Sequence, residues 1–353
     1  MLEVRTGSRL HFGLMELGEG QPLRFGGLGL MTQHPALMVH CDLTDQIPSA
    51  SDEADRRVVD LIARFRTSAT AQVPTRFSAK VASPIRFHCG LGFGTQLACA
   101  VSAGLMINGN DWSERFPATD GWNSFAADSA RSDGVTLQRL AQISGRGKRS
   151  AIGLHGFLFG GLILDRGHVS QSCNTSGGDR SDSTDRHRRS IATEHVAFPK
   201  SWQIVLIIPN QSQPIYGQTE LELIQAASRS PNRERERMLA LAQQCLASAR
   251  AIDFLGYVGA LELYTQLAAS LFQEVQGGTF RGHSIELAVQ LARRSGLRAV
   301  GQSSWGPVVF GFAEDQRSAT ECADRITRDL PDPTWEVIVT GSARGAQWRK
   351  TLE

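Results

Sequence analysis

Three glycine-rich turns hold the backbone and cation chemistry of this sequence. The densest is Gly90-Leu91-Gly92-Phe93-Gly94-Thr95-Gln96, which follows Pro84-Ile85-Arg86-Phe87-His88-Cys89. Glycines let backbone N–H groups turn inward and approach a ligand, and a helix opening at Thr95 would add partial positive charge. Phosphate or diphosphate is the natural guest of such a turn. The same glycines also suit a tight turn demanded by packing alone. No Lys-Ser/Thr follows them, which excludes a Walker P-loop, and Gln96 breaks the dinucleotide pattern G-x-G-x-x-G.

The second turn, Gly145-Arg146-Gly147-Lys148-Arg149-Ser150-Ala151-Ile152-Gly153, places three cations in four residues. It reads either as a solvated basic loop or as a clamp for phosphate or carboxylate; the flanking glycines and the apolar stretch that follows favour the clamp. The third, Gly301-Gln302-Ser303-Ser304-Trp305-Gly306-Pro307, lets a backbone or a ligand come close, with Trp305 as hairpin packing or as a wall for a flat ring. Near the N-terminus, Arg9 and His11 stand two apart, on one face of an extended segment. Arg24 adds a cation beside Gly26 and Gly27.

These turns need elements to hold them. Short apolar runs punctuated by glycine (Leu2–Val4, Leu10–Leu14, Leu28–Met31, Ala36–Cys41) are β-hairpin material. Residues 52–66 carry Val58, Val59, Leu61, Ile62 and Phe65 at helical spacing. The pattern predicts a strand over 76–87, a buried helix from Thr95 to Ile107, a helix over 135–143 and a strand over 157–164. Further on it predicts a strand over 203–208 and helices near 219–228, 233–249, 253–275 and 283–295. Strands at 298–302 and 307–312, a helix at 315–329 and a strand at 335–340 complete the chain. Asp165 reads as a strand-end turn residue. Residues 171–189 are polar and too poor in apolar side chains to fold, so they are read as a flexible insertion. Strands and helices alternate without a strict βαβ rhythm, which gives an α+β class.

Composition narrows the function. The chain has 353 residues, 41% of them hydrophobic, with 37 Lys and Arg against 35 Asp and Glu. A balance of +2 excludes binding of a nucleic-acid backbone through many phosphate contacts, but a small anion needs only a few local cations. The longest apolar run is about half a membrane span. The six cysteines are scattered without a C-x-x-C pair. Together with an N-terminus lacking a signal-peptide pattern, they predict a soluble cytoplasmic protein.

The N-terminal strand motif around Arg9 and His11, the central turn and the late turn, in this order, resemble those of the GHMP small-molecule kinase superfamily over nearly the whole chain. That resemblance implies an N-terminal domain like domain 2 of ribosomal protein S5 over 1–195 and a ferredoxin-like C-terminal domain over 196–353, with a ligand cleft between them. Ser8-Arg9-Leu10-His11-Phe12-Gly13-Leu14 and the three turns look more narrowly like the β-ribofuranosylaminobenzene 5′-phosphate synthase family. It joins phosphoribosyl pyrophosphate to 4-aminobenzoate or 4-hydroxybenzoate, releasing CO2 and pyrophosphate, early in the methanopterin-type cofactor pathway. Many GHMP kinases carry a catalytic Asp seven or eight residues before a Gly-Gly pair; counting back from Gly160 lands on Gly153 and Ile152. Phe93 stands where the superfamily commonly has serine.

The resemblance implies Arg9, His11, Arg146 and Lys148 as catalytic residues. It implies substrate contacts from Arg24, Gly90, Gly92, Gly94, Thr95, Gln96, Arg149, Ser150, Ser303, Ser304 and Trp305. His11 and Trp305 are the candidates for the aromatic acceptor. It further implies Mg2+, with Thr95 as the nearest hydroxyl, and a homodimer. Two other readings stand beside the synthase: an ATP-dependent GHMP kinase of a small alcohol, homoserine- or mevalonate-like, and a non-catalytic ligand-binding regulator on the same scaffold. A Rossmann-like phosphoribosyltransferase is disfavoured, because Gly161-Leu162-Ile163-Leu164-Asp165-Arg166 offers one acid where that fold needs a pair.

Overall fold

A computed structural model describes residues 1–17, 23–44, 52–67, 76–84, 87–108, 121–125, 135–169, 193–209, 218–228, 232–273, 280, 282–304 and 306–351. The expected insertion at 171–189 and Trp305 lie outside them.

The apolar runs of the N-terminal region join into two long antiparallel strands, β1 (Leu2–Glu16) and β2 (Leu23–Leu43), in register from Leu2↔Cys41 to Glu16↔Phe25. The register shifts between Thr6 and Ser8 and between His11 and Gly13. Gly7 occupies the first shift, where a Cβ would fall 2.0 Å from the Thr32 carbonyl. Around this pair grows one sheet with β3 (Phe77–Val81), β4 (Asn123–Ser124), β5 (Leu162–Asp165), β6 (His168–Val169), β7 (Thr193–Val196) and β12 (Gln347–Lys350). Its order is β4-β12-β1-β2-β5-β7, with β3 and β6 also on β2. The last strand thus returns to the first sheet, across the boundary expected near residue 195.

Helix α2 (Phe93–Asn108) is buried at every residue from Gln96 to Ile107, because its sequence is apolar on all sides. It packs on β1 and β2 and is flanked by α1 (Glu53–Thr67), α3 (Val135–Ser144) and α4 (Ile152–Phe159). α1 is amphipathic, burying Val58, Leu61, Ile62 and Phe65, and Asp52 caps it by accepting the Asp55 N–H at 2.8 Å.

The second sheet is antiparallel, with β8 (Gln203–Ile208), β9 (Arg298–Gln302), β10 (Val309–Ala313) and β11 (Glu336–Thr340) in the order β11-β8-β10-β9. Helices α8 (His283–Ser295) and α9 (Gln316–Asp329) pack on it. A short helix α5 (Gln218–Ala227) precedes the paired helices α6 (Arg235–Ala251) and α7 (Phe254–Ser270), and α7 touches both β1 and β9. The two sheets share one apolar seam. Phe12 lies 5.1 Å from Phe310 and 6.1 Å from Phe312 between ring centroids, and Phe198, Trp202 and Tyr257 continue the cluster.

One stretch departs from the sequence expectation. Residues 152–159 form α4, and only 162–165 form the strand expected over 157–164. A short, uniformly apolar run has no period to tell helix from strand. Glycine decides it sterically: a Cβ at Gly156 would sit 2.5 Å from Met31 Sδ, so a bare helix face lies against β2. The strand expected over 76–87 spans 77–81, and the helix expected over 253–275 spans 254–270.

Candidate active site

The central turn is held from both sides by backbone. The Arg9 N–H donates to the Leu91 carbonyl at 2.8 Å, and the Val308 N–H donates to the Cys89 carbonyl at 3.2 Å. Ser303 bolts the late turn to both partners. It is fully buried; its hydroxyl accepts the His11 N–H at 3.1 Å and donates to the Gly90 carbonyl at 2.8 Å. The Ser304 N–H donates to the His11 carbonyl at 3.1 Å. Two glycines make this contact possible. A Cβ at Gly306 would sit 2.1 Å from the Gly90 nitrogen, and one at Gly90, where φ is 95°, would sit 2.5 Å from the Ser303 carbonyl.

Gly92 (φ 69°) caps α2: its carbonyl accepts the Thr95 and Gln96 N–H groups at 3.0 and 3.1 Å. The Thr95 amide is therefore spent inside the turn and is not aimed at a ligand. The Arg9 side chain lies over Gly92, its Nε 2.9 Å from where a Cβ would be. Arg146 reaches the other flank, and its guanidinium donates to the Gly94 carbonyl at 3.1 Å. The structure thus brings Arg9 and Arg146 to one turn from two sides. Burial above all, with Arg64, Arg57 and Arg149 nearby, holds the Arg146 guanidinium below its ordinary value.

α4 brings a second helix N-terminus to the same place. Buried Asp165 accepts the Ala151 N–H at 2.7 Å and the Gly167 N–H at 2.9 Å, as a strand-end turn residue does. The Ser150 hydroxyl accepts the Ile152 N–H at 3.3 Å. Gly153, one of the two positions with Ile152 reached by counting back from Gly160, faces Thr95 and Arg9. A Cβ there would be 2.9 Å from Thr95 Cγ2 and 3.4 Å from an Arg9 terminal nitrogen. A side chain at this position would have to displace the Thr95 methyl.

His11 is buried at 5% exposure, its Nδ1 accepts the Gly13 N–H at 3.2 Å, and the proton accordingly sits on Nε2. Burial first, then Arg9, pushes its pKa down to about 3, so it is neutral near pH 7. Gln96 is a correction to the set of substrate contacts. It is fully buried, accepts from the Thr6 hydroxyl at 2.7 Å and donates to the Gly153 carbonyl at 2.9 Å, tying α2 to β1 and α4. Arg24 donates to the Leu17 carbonyl at 3.3 Å, seven residues along β2 from Met31, the partner of Arg9. It stands apart from the turn. Lys148 and Arg149 are exposed on their loop.

The polar face of α1 was missed as chemistry. Arg57 and Arg64, seven residues and two turns apart, line a cavity of about 550 Å³ with Arg146, Asp60, Gly94 and Leu97. Arg57 is braced by Glu53 and His88, both at 2.8–3.1 Å contacts, and its guanidinium lies 4.5 Å from the Phe87 ring centroid. The i, i+7 spacing of two arginines opposite the buried stripe was the available signal.

Among the described residues no three His, Cys, Asp or Glu side chains gather into a metal site. Glu53, the carboxylate beside the turn, is engaged by Arg57 and His88. This donor set does not fit an ion held by the protein alone.

No known family model matches the chain. Solved structures do. It superposes on mevalonate diphosphate decarboxylase from Staphylococcus aureus with a TM-score of 0.56 at 12% identity, covering 99% of both chains. Homoserine kinase from Cytophaga hutchinsonii gives a TM-score of 0.53 at 11% identity, covering 98% of this chain and 96% of that one. The fold is that of the GHMP kinases. By sequence, this GHMP-fold chain is similar to enzymes named Beta-ribofuranosylphenol 5′-phosphate synthase. The protein of that name from Methanothermobacter thermautotrophicus is 26% identical, over 98% of each chain. That from Archaeoglobus fulgidus is 26% identical over 91% of this chain and 90% of its own. No helix among the described residues is long and apolar enough to cross a membrane.

Proposed function

We propose that this GHMP-fold protein is a synthase that transfers the phosphoribosyl group of phosphoribosyl pyrophosphate to the ring carbon of a para-substituted benzoate, early in methanopterin-type cofactor synthesis. The C1–O bond to diphosphate breaks as the bond from C1 to the carboxylated ring carbon forms. The bond from that carbon to the carboxylate then breaks, its electron pair returns to the ring, and CO2 leaves. Charge and atoms balance without moving a proton, so no general base is required.

One observation carries this reading: the two positions where the resemblance would put a kinase carboxylate are Ile152 and Gly153, and Gly153 abuts Thr95. Phosphoryl transfer to an alcohol benefits from a base there; decarboxylative C-glycoside formation has no use for one. What the reaction needs is stabilisation of the departing diphosphate, and Arg9, whose side chain lies over Gly92, is the cation placed for it. One such donor contributes about 3–4 kcal/mol to a transition state. The His11 backbone holds the late turn through Ser303 and Ser304, and its neutral imidazole accepts the Gly13 N–H. Mg2+ enters as part of the substrate, complexed to the diphosphate.

An electron-donating group para to the carboxylate makes the attacked carbon nucleophilic, and both 4-amino- and 4-hydroxybenzoate provide it. The phenol in the relatives' name favours the hydroxy acid. The test incubates the protein with phosphoribosyl pyrophosphate, Mg2+ and each carboxyl-labelled benzoate, and follows labelled CO2 and pyrophosphate. Equal release of both without ATP is expected. ADP formation with a small alcohol and no CO2 from either acid would replace the synthase with a kinase.

A further inference from the structure

The cavity between α1 and the start of α2 has no part in the steps above. It borders the central turn through Gly94, while none of its lining comes from the late turn or from β1. Three guanidinium groups face it, against Asp60 in the lining and Glu53 behind Arg57. Like charges repel when drawn together, and three arginines against Asp60 leave the lining with a net positive charge. Arg57 is fixed in place by Glu53, His88 and the Phe87 ring, and Arg146 by the Gly94 carbonyl, so these two cations are oriented before any ligand arrives, while Arg64 is exposed beside them. Pre-oriented guanidiniums in a concave site of this size match a phosphate group.

We infer that this arginine-lined cavity seats the 5′-phosphate of the phosphoribosyl donor. The inference rests on the synthase reading for the identity of that donor. The donor has two anionic ends with different needs. Its diphosphate must lie where charge develops, beside Arg9 at the central turn. Its 5′-phosphate does not react and serves as an anchor whose binding energy orients C1. A pocket on the far flank of the same turn, continuous with it at Gly94, is placed for that anchor.

Titration calorimetry on the full chain tests this with ribose 5-phosphate, ribose and pyrophosphate as separate probes. Wild-type protein binds ribose 5-phosphate and not ribose. Arg64→Ala, a surface change that leaves the core intact, weakens ribose 5-phosphate by about tenfold or more, as expected for loss of a charge-assisted hydrogen bond. Arg64→Glu weakens it further. Pyrophosphate affinity changes less than about twofold in both. Arg317→Ala, the same loss of charge on exposed α9, alters neither. Unchanged ribose 5-phosphate affinity in Arg64→Glu, equal weakening of pyrophosphate, or a wild type that does not distinguish ribose 5-phosphate from ribose would each overturn the inference. The two readings fail separately. Turnover with an unaltered KM for the donor in Arg64→Glu removes the pocket and keeps the synthase. Intact discrimination of ribose 5-phosphate without CO2 release removes the synthase and keeps the pocket.

Discussion

Replacing Gly306 by alanine attacks the joint between the late and central turns. The added Cβ would lie 2.1 Å from the Gly90 nitrogen and 2.2 and 2.3 Å from the Cys89 carbonyl carbon and oxygen, over an ångström short of ordinary contact. All three neighbours are backbone, so no side-chain rotation relieves the clash and the turns must part. Parting them breaks Ser303 Oγ–Gly90 O and Val308 N–Cys89 O, at about 1 kcal/mol each, and adds overpacking of about 1–3 kcal/mol. A loss of about 3–5 kcal/mol follows, with a fall in Tm of roughly 4–7 °C. Activity suffers more, because displacing Gly90–Gly92 by about 1 Å moves the surface under Arg9 and costs on the order of a hundredfold in kcat/KM. Gly259→Ala is the matched control: its Cβ meets nothing within 4 Å, so it stabilises exposed α7 by about 0.5–1 kcal/mol. The assay is pyrophosphate release beside thermal denaturation. A Gly306→Ala protein with kcat/KM within about threefold of wild type and an unchanged Tm would show that these turns do not bear on one another.

Gln96→Leu strands the Thr6 hydroxyl and the Gly153 carbonyl in the interior and costs about 2–4 kcal/mol by urea denaturation. Asp165→Ala removes the acceptor for the Ala151 and Gly167 N–H groups and costs about 1–3 kcal/mol, with lower activity because Gly153 follows the start of α4. Acidification destabilises the fold through His11 and His155, whose pKa values burial pushes down to about 3 and about 4. Above pH 6.5 both folded and unfolded states are neutral. As pH falls below that, the unfolded chain binds protons that the folded chain refuses, so stability is lost, by roughly 2 kcal/mol per histidine at pH 5. Denaturation midpoints at pH 7 and pH 5 measure the loss, and His11→Gln should remove about half of it.

Legibility in the sequence followed the physics of each segment. Amphipathic α1 and α8 and the strand Gln203–Ile208 have a period or a length that admits one reading, and the structure keeps them. The glycine motifs were visible because glycine is required where a backbone passes close by, as at Gly90 and Gly306. Residues 152–159 were misread because an apolar run between glycines lacks a period, and the contact that makes it a helix, Gly156 on Met31, spans more than a hundred residues of chain. Gln96 was misassigned for a related reason. Its place beside the turn suggested a ligand contact, and only the fold reveals that α2 points it inward at Thr6. Arg57 and Arg64 share one side of α1 by their i, i+7 spacing, but only the fold shows the cavity they border once α2 and Arg146 arrive beside them.

The bond that forms at C1 decides the chemistry. Phosphoribosyl pyrophosphate labelled with 13C at C1, and 4-hydroxybenzoate or 4-aminobenzoate labelled at the carboxylated ring carbon, are converted by the protein and read by carbon NMR. A one-bond coupling between the two labelled carbons, with pyrophosphate released in equal amount, is expected. Label recovered as ribose 5-phosphate, as an O- or N-linked riboside without carbon–carbon coupling, or in unchanged donor would contradict the assignment.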